Sequence, residues 1–290
     1  MTYRATIAVE AAEVLTHTAW PGGQYVLTVR APRAATRARP GQFAHIAVGE
    51  GIAMRRPISI LSADREAGTL GFLYKAVGAG TAALARRQPG ERLSLMAPIG
   101  TPFAPHPARP RSLLLGGGVG IPPMLFLARQ LRGGASAGVR PLVLMGSEVP
   151  FPFATVASRL PVPGVAPQVS EALADLEAIG APSRLASLQG YPGCHRGYVT
   201  DLARSWLEAL TAQERAEVEV FACGPHPMLA AAARLAREHG LPCQVSLEEY
   251  MACGVGACAG CVVRIETPEG PAMKRVCVDG PVFDARSVFG

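Results

Sequence analysis

Apolar and polar residues alternate in a series of short runs between residues 1 and 108. An alternation with a period of two is typical of strands that bury one face. Turn sequences such as Pro21-Gly-Gly and Gln88-Pro-Gly separate the runs, and one short helical pattern lies at 81–87. The pattern predicts a small antiparallel β-barrel. Its expected strands are 3–9, 24–29, 42–48, 58–61, 70–77 and 92–95.

The pattern changes after the proline-containing stretch 107–111, because apolar runs then alternate with helical patterns. Such an alternation predicts a parallel sheet covered by helices. The expected strands are 112–115, 141–145 and 217–222, and the expected helices are 121–131, 172–178, 200–210 and 227–239. We therefore expect a multidomain α+β fold. It has an antiparallel β-barrel domain at 1–108, an α/β parallel-sheet domain at 109–240 and a small cysteine-bearing domain at 241–290.

Composition narrows the class of protein. The 290 residues suffice for two or three domains, and the net charge of +6 comes from scattered arginines. No basic run with interleaved aromatic residues is present, so we do not expect nucleic-acid binding. The longest uncharged stretch, 112–128, contains glycines and prolines, so we do not expect a membrane span. The N-terminal sequence lacks the pattern of a signal peptide, so we expect a cytoplasmic protein.

Four of the seven cysteines form the pattern C-x4-C-x2-C-x15-C, and they are Cys253, Cys258, Cys261 and Cys277. Plant-type [2Fe–2S] ferredoxins use three cysteines with this spacing and a distant fourth. Glycine and alanine fill the positions between the first three, which lets a loop wrap closely around a cluster. The alternative is a structural zinc site, since four thiolates also suit tetrahedral zinc. Zinc ligands usually come as two short knuckles, so the spacing favours iron and sulfide.

Two motifs in the barrel region suit a phosphate. In Arg55-Arg-Pro-Ile-Ser-Ile60, Arg56 and Ser59 lie on one expected strand, where the arginine can donate charge-assisted hydrogen bonds. In the run from Tyr74 to Leu84, a strand, a glycine turn and a helix beginning at Thr81 follow in order. A helix N-terminus favours a pyrophosphate. The alternatives are a surface arginine and an ordinary glycine turn capped by Thr81.

Two further turns lie where the α/β sheet is expected to bind ligands, at the carboxyl ends of strands. The run from Leu113 to Met124 has the order strand, glycine turn and helix that a dinucleotide site requires, without the full G-x-G-x-x-G spacing. The run from Val220 to Met228 is a second strand end that leads into a helix, with Cys223 in the turn. The alternatives are a turn that only packs helix on strand and an inert buried cysteine.

Together these motifs resemble the ferredoxin–NADP reductase superfamily and, within it, the electron-transfer subunits of NAD-dependent (class 1B) dihydroorotate dehydrogenase. The resemblance covers almost the whole chain. It rests on R-R-P-I-S-I, Y-K-x-V-G-x-G-T, G-G-G-V-G-I-P-P-M, G-Y-V-T-D-L, C-G-P-x-P-M and M-A-C-G-V-G-A-C-x-G-C…V-C-x-D-G-P-V-F. The segment 147–194 departs from the family pattern, with a proline-rich start and a helix-like pattern at 172–186.

The resemblance implies three cofactor sites, one for each expected domain. It assigns FAD to the barrel residues Arg56, Pro57, Ile58, Ser59, Tyr74, Lys75, Gly80 and Thr81. It assigns NAD(H) to the α/β residues Gly117, Gly118, Gly120, Pro122, Cys223, Gly224 and Pro225. It assigns the [2Fe–2S] cluster to Cys253, Cys258, Cys261 and Cys277. No residue of the chain is assigned as a catalytic acid or base.

The implied function is electron transfer. Electrons pass between FMN in a separate catalytic subunit, which oxidises dihydroorotate to orotate for pyrimidine biosynthesis, and NAD, through this chain's cluster and FAD. The expected assembly with that subunit is a heterotetramer. Glu148, at the end of the second expected α/β strand, favours NAD over NADP because it suits a ribose diol. The alternative is a flavin/iron–sulfur NAD(P)H reductase subunit of another oxidoreductase, such as a hydrogenase or sulfide dehydrogenase.

Overall fold

A computed structural model describes residues 6–49, 51–133 and 138–290, and the chain divides into two compact units. One unit contains the described residues up to Pro102 together with Ser246–Phe283. The other contains the described residues between Phe103 and Val245 together with Asp284–Gly290. The cysteine-bearing segment therefore belongs to the same unit as the barrel. The expected division into three domains stays a prediction.

The first unit contains a closed six-stranded antiparallel barrel, which confirms the barrel prediction. Its elements are β1 (Ala8–Trp20), β2 (Gln24–Arg30), α1 (Pro32–Ala35), β3 (Phe43–Ile46), β4 (Arg56–Asp64), β5 (Thr69–Lys75), α2 (Ala79–Leu84) and β6 (Arg92–Ile99). The strand order is β1-β2-β5-β4-β3-β6. Alternate apolar residues fill the interior, as Leu93, Leu95 and Ala97 do along β6.

Several barrel elements differ from their predicted bounds, and β1 and α2 are two of them. The predicted strand 3–9 begins in residues outside the described part, whereas β1 continues to Trp20. A register shift between Val14 and Thr16 breaks the alternation there, so the sequence pattern does not reveal the strand. The predicted helix 81–87 begins earlier, at Ala79, because Thr81 accepts hydrogen bonds from the backbone before it.

The second unit is built on a six-stranded sheet. Its elements are β7 (Arg111–Gly117), α3 (Ile121–Gly133), β8 (Arg140–Gly146), β9 (Thr155–Ala157), β10 (Glu171–Leu173), α4 (Ala174–Ala178), β11 (Ser183–Ala186), α5 (Val199–Ala209), α6 (Ala212–Ala216), β12 (Val218–Cys223), α7 (His226–Glu238) and β13 (Cys243–Ser246). The strand order is β11-β8-β7-β12-β13 followed by a short last strand, and the pairs among β11, β8, β7 and β12 are parallel. Nearly continuous apolar runs in β7, β8 and β12 fit a sheet covered on both faces.

The helix-like pattern at 172–186 is wrong as a prediction of one helix. The structure has strand β10, the five-residue helix α4 and the fully buried strand β11 in this segment. Gly180, with a φ of +71°, and Pro182 end the helix. Residues 183–186 then pair in parallel with β8, so tertiary pairing overrides the local alanine-rich pattern.

The C-terminal segment adds a two-stranded sheet and a short helix. Its elements are β14 (Val262–Thr267), β15 (Gly270–Arg275), β16 (Val282–Asp284) and α8 (Ala285–Phe289). The hairpin β14–β15 is antiparallel, and β16 is the last strand of the six-stranded sheet. In the described part of the chain, no helix has the length and apolar character that crossing a membrane requires.

Candidate cofactor sites

The hairpin β14–β15 brings two of the four spaced cysteines together. Cys261 immediately precedes β14, and Cys277 follows shortly after β15. Val262 pairs with Arg275, and the Val276 backbone N–H donates to the Cys261 carbonyl at 2.9 Å. The Cys277 N–H also points at the Cys261 sulfur, at 3.5 Å. Both thiols are buried, with 3% and 1% of the residue exposed.

The other two cysteines lie in the loop that precedes the hairpin. Backbone N–H groups of Val255 and Ala257 point at the Cys253 sulfur at 3.4 and 3.3 Å, and that of Gly260 points at the Cys258 sulfur at 3.4 Å. This geometry requires positive φ angles, which Gly254, Gly256 and Ala259 adopt. The loop therefore directs N–H dipoles at its sulfurs, which suits thiolate ligands.

Cys253 interacts with the Cys258 thiol, and Cys277 interacts with the Cys261 thiol and, more weakly, with Cys253. Burial opposes ionisation of Cys253, but the N–H groups and the Cys258 thiol outweigh it and lower the pKa of Cys253 to about 6. Burial and the adjacent Cys261 raise the pKa of Cys277 to about 12. Among the described residues, no three His, Cys, Asp or Glu side chains converge closely enough to hold a single metal ion.

Arg275 joins the loop to the hairpin. Its Nη1 donates to the Gly256 carbonyl at 3.0 Å, and its backbone N–H donates to Asp279 Oδ2 at 2.7 Å. The Arg275 Nε also lies 3.3 Å from the same carboxylate oxygen. Opposite charge and the hydrogen bonds lower the pKa of Asp279 against the effect of its burial. The loop that carries Cys253 and Cys258 is thus fixed to the turn that carries Cys277.

In the barrel, the motif Arg55–Ile60 and the glycine turn before α2 lie next to each other. The Arg56 guanidinium lies directly against Gly80, where a Cβ would collide with it. Its Nη1 donates to the Met54 carbonyl at 2.6 Å. Pro57 and Ser59 are half-buried on β4, and Ile58 is buried on the opposite face of that strand. The structure thus brings Arg56 to the turn before α2, as the phosphate-site interpretation requires.

Thr81 closes that turn. Its Oγ1 accepts hydrogen bonds from the backbone N–H groups of Val77 and Gly78 at 3.0 and 3.2 Å. The side chain thereby satisfies donors that precede the helix and holds the turn in shape. Lys75 is the last residue of β5, is half-buried and lies immediately before this turn.

The Tyr74 side chain is buried, and the assignment of Tyr74 to the FAD site stays a prediction. Its ring is inside the barrel, with 2% of the residue exposed, and its hydroxyl is 2.8 Å from His17 Nε2. Burial, followed by the neighbouring Tyr25, raises the pKa of Tyr74. The Tyr25 ring stacks on it at 5.4 Å, and His17 Nδ1 lies 2.8 Å from the Arg87 carbonyl. The Tyr74 side chain is thus part of a buried aromatic cluster.

In the second unit, the two glycine-containing strand ends lie side by side. Cys223 pairs with Gly116 in the parallel ladder. A Cβ at Gly120 would collide with the backbone of Cys223 and Gly224. A Cβ at Gly117 would collide with Met228 and lie 3.3 Å from Pro225 Cδ. The residues assigned from the two motifs therefore form one site at the carboxyl edge of β7 and β12.

The open side of this site is at Gly118. It has a φ of +54°, and no atom lies within 4 Å of the position that its Cβ would take. Pro122 is buried in the first turn of α3, where proline is well tolerated. The arrangement leaves room for a ligand beside the glycine turn, at the edge where open α/β sheets bind nucleotides.

Glu148 follows β8 at the same edge. Its carboxylate accepts hydrogen bonds from the Leu188 backbone N–H at 3.3 Å and from Gln189 Nε2 at 3.2 Å. The carboxylate is therefore held by the loop that follows β11.

Sequence analysis missed one buried polar residue near the cysteines. His45 on β3 is fully buried, and Gly254 of the cysteine loop lies against its ring. The signal was a histidine within the apolar strand Phe43–Ile46, since an ionisable side chain in such a run requires a polar reason.

Comparison with known proteins identifies the cysteine-bearing segment. A family model described as the iron-sulfur cluster binding domain of dihydroorotate dehydrogenase B matches residues 248–289. The chain is 38% identical over 269 residues to the electron transfer subunit of dihydroorotate dehydrogenase B (NAD(+)) from Geobacillus thermodenitrificans (strain NG80-2), covering 91% of this chain and 92% of that one. It is 37% identical to the protein of the same name from Bacillus caldolyticus, with the same coverage.

Solved structures share the fold. An NADH-dependent reduced ferredoxin–NADP oxidoreductase, studied for flavin-based electron bifurcation, aligns with a TM-score of 0.75 at 25% identity, covering 96% of this chain and 90% of that one. A ferredoxin reductase of carbazole 1,9a-dioxygenase aligns with a TM-score of 0.62 at 21% identity, covering 81% and 67%. These alignments confirm the ferredoxin–NADP reductase fold. With its identity to full-length relatives, the chain belongs to the family of electron transfer subunits of dihydroorotate dehydrogenase B (NAD(+)).

Proposed function

We propose that this chain transfers electrons between NAD and a catalytic subunit that oxidises dihydroorotate to orotate, through FAD and a [2Fe–2S] cluster. The observation that carries the proposal is the set of four spaced thiols with backbone N–H groups directed at their sulfurs, in the same unit as the Arg56–Gly80 contact. FAD, an iron–sulfur cluster and NAD are the cofactors that family membership supports. A catalytic partner follows from the name of the relatives, which are subunits.

The cysteines fit a two-iron cluster better than one zinc ion. Structural zinc ligands usually come as two short knuckles, whereas three of these cysteines lie in one glycine- and alanine-rich loop and the fourth is distant in sequence. We propose that Cys253 and Cys258 bind one iron and that Cys261 and Cys277 bind the other. Backbone N–H groups directed at the sulfurs, which stabilise negative charge, support this assignment.

We propose that FAD binds along β4 and the turn before α2. Arg56 and Thr81 contribute in different ways, since the guanidinium offers charge to a pyrophosphate and Thr81 holds the turn. Pro57, Ile58, Ser59, Lys75 and Gly80 complete the proposed contacts. Tyr74 contributes through its backbone, because its ring is buried beside Tyr25.

We propose that NAD binds at the paired strand ends of the second unit. Gly118 offers open backbone, while Gly117, Gly120 and Pro122 shape the turn. Cys223, Gly224 and Pro225 form the adjacent wall. Glu148 supports NAD over NADP, since its carboxylate suits a ribose diol and would repel a 2′-phosphate.

When bound, NAD exchanges a hydride, the cluster exchanges single electrons, and FAD connects them because it does both. The protein positions these groups and excludes water, and no acid or base of its own is required. We propose a heterotetramer with an FMN-containing catalytic subunit. We also propose a cytoplasmic location, since all seven cysteines are free of disulfides.

Anaerobic purification from the native host tests the proposal. We expect FAD, about two irons and two acid-labile sulfides per chain, and an FMN-containing partner, as a [2Fe–2S] relay requires. The complex should reduce NAD with dihydroorotate. Zinc in place of iron would contradict the cluster, and a different oxidoreductase as partner would support the alternative reductase function.

A pair of cysteine variants sharpens this test. Cys258→Ser removes an exposed ligand, so iron and sulfide should be lost while FAD content stays unchanged. Cys194→Ser is the matched control, because Cys194 lies in the second unit outside the pattern, and it should retain the full iron content. Equal iron content in the two variants would show that Cys258 is not a ligand.

A further inference from the structure

His45 is a fully buried histidine between the proposed flavin strand and the cysteine loop. It lies on β3, where it pairs with Pro57 of β4 on one side and Met96 of β6 on the other. Its exposure is 0%, although it points to the outer face of the barrel, which Met96 shares. Gly254 and the Met251 backbone lie beside the ring on that face, so the barrel and the loop together enclose it.

Gly254 is the point of contact. A Cβ added there would lie 3.0 Å from His45 Nδ1 and 3.2 Å from Met96 Cε, closer than ordinary van der Waals contact. Gly254 also has a φ of +67°, which disfavours any other residue. The backbone next to Cys253 therefore rests directly on the imidazole.

Neither ring nitrogen makes a well-aligned hydrogen bond within the described part of the chain, and the Met251 backbone lies close enough to interact with the ring. Buried polar groups without a well-formed hydrogen bond are rare and costly. The surroundings disfavour a charged ring: burial and Arg55 lower the pKa of His45 to about 4, against the effect of the Met251 backbone. Arg55 is itself held by the Ser94 carbonyl at 2.7 Å. A neutral ring keeps one N–H donor in this enclosed space.

We propose that His45 is a positioning residue for the cluster. The N–H dipole of its ring acts through the Met251–Gly254 backbone on the negative charge of the cluster and its thiolate ligands. The inference rests on the proposed [2Fe–2S] cluster. A donor in a low-dielectric enclosure stabilises added negative charge strongly, so His45 favours the reduced cluster. This role also explains why a polar ring is buried at a position where the barrel itself offers it no well-aligned hydrogen bond.

The test compares three variants in the FAD- and iron-loaded protein. His45→Leu removes the donor at similar volume, and His45→Gln retains an amide N–H. Met96→Leu is the packing control, since it touches Gly254 from the same face and changes no polar group. The readouts are the cluster potential from an EPR-monitored redox titration and the rate of iron release to a chelator.

We expect His45→Leu to lower the equilibrium constant for one-electron reduction of the cluster about tenfold, which is a shift of about 59 mV to more negative potential. His45→Gln should recover part of the shift, and Met96→Leu should leave the potential unchanged. If His45→Leu loads poorly, iron release at least about tenfold faster than in Met96→Leu supports the same inference.

Equal potentials in wild type and His45→Leu, with equal rates of iron release, overturn it. Equal shifts in His45→Leu and Met96→Leu also overturn it, since packing then explains the effect. A wild-type protein without iron and sulfide is a separate failure, which overturns the proposed function as well.

Discussion

The two glycine turns proposed to bind nucleotides look alike in sequence but are built differently. In the barrel, the space beside Gly80 is filled by the end of a flexible side chain, the Arg56 guanidinium. In the α/β unit, the space beside Gly120 is filled by the backbone of Cys223 and Gly224. A guanidinium can move aside at little cost, whereas two strand ends cannot separate without disturbing the sheet. We therefore propose that the barrel glycine serves ligand binding and that the α/β glycine serves the fold as well.

The largest effect that this comparison predicts is that of Gly120→Ala. The added methyl group collides with backbone on β12, so the two strand ends must move apart. We expect a loss of about 3 kcal/mol in the free energy of unfolding of this unit, together with weaker NADH binding. Urea denaturation and NADH titration measure the two effects.

Gly133→Ala at the end of α3 is the control, because no other part of the described chain lies within 4 Å of its Cβ position. It should be neutral or stabilising, since alanine favours a helix over glycine by about 1 kcal/mol. If Gly120→Ala is as stable as this control, the close approach of the two turns is not required.

Gly80→Ala should have the next largest effect, and on a different quantity. Displacement of the Arg56 guanidinium should weaken FAD binding about tenfold, or about 1.4 kcal/mol, with little change in the stability of the apoprotein. Flavin fluorescence gives the dissociation constant. Gly78→Ala is the matched control, because its φ of −155° suits any residue and its Cβ position is open. A large loss of apoprotein stability in Gly80→Ala would remove the contrast between the turns.

Thr81→Ala should have the smallest effect. It removes the oxygen that accepts from Val77 and Gly78, which costs about 0.5–1 kcal/mol in stability. Thermal unfolding measures the loss, and Thr81→Ser should recover most of it because the hydroxyl remains. A Thr81→Ser protein as unstable as Thr81→Ala would show that the methyl group, rather than the hydrogen bonds, matters.

Local patterns predicted the features that depend on neighbouring residues. The cysteine spacing indicated an iron–sulfur site because three of the proposed ligands lie within one short loop. The order strand, glycine turn and helix located both nucleotide-type turns for the same reason. The barrel was predicted from alternation, which breaks where β1 changes register near Val14.

Features that depend on distant parts of the chain could not be predicted. The partner of Gly120 is Cys223, about a hundred residues away, and no local pattern indicates it. Strand β11 was taken for part of a helix, since its pairing with β8 is a tertiary effect. His45 was overlooked because only the fold shows that residues 251–254 cover the outer side of its strand.

The unequal burial of the four spaced thiols has a consequence for the chemistry of the proposed cluster. Cys261 and Cys277 are buried beside the hairpin β14–β15, whereas Cys253 is half-buried and Cys258 is exposed. Oxygen and chelators in solution would therefore reach the Cys258 side of a bound cluster before the Cys277 side.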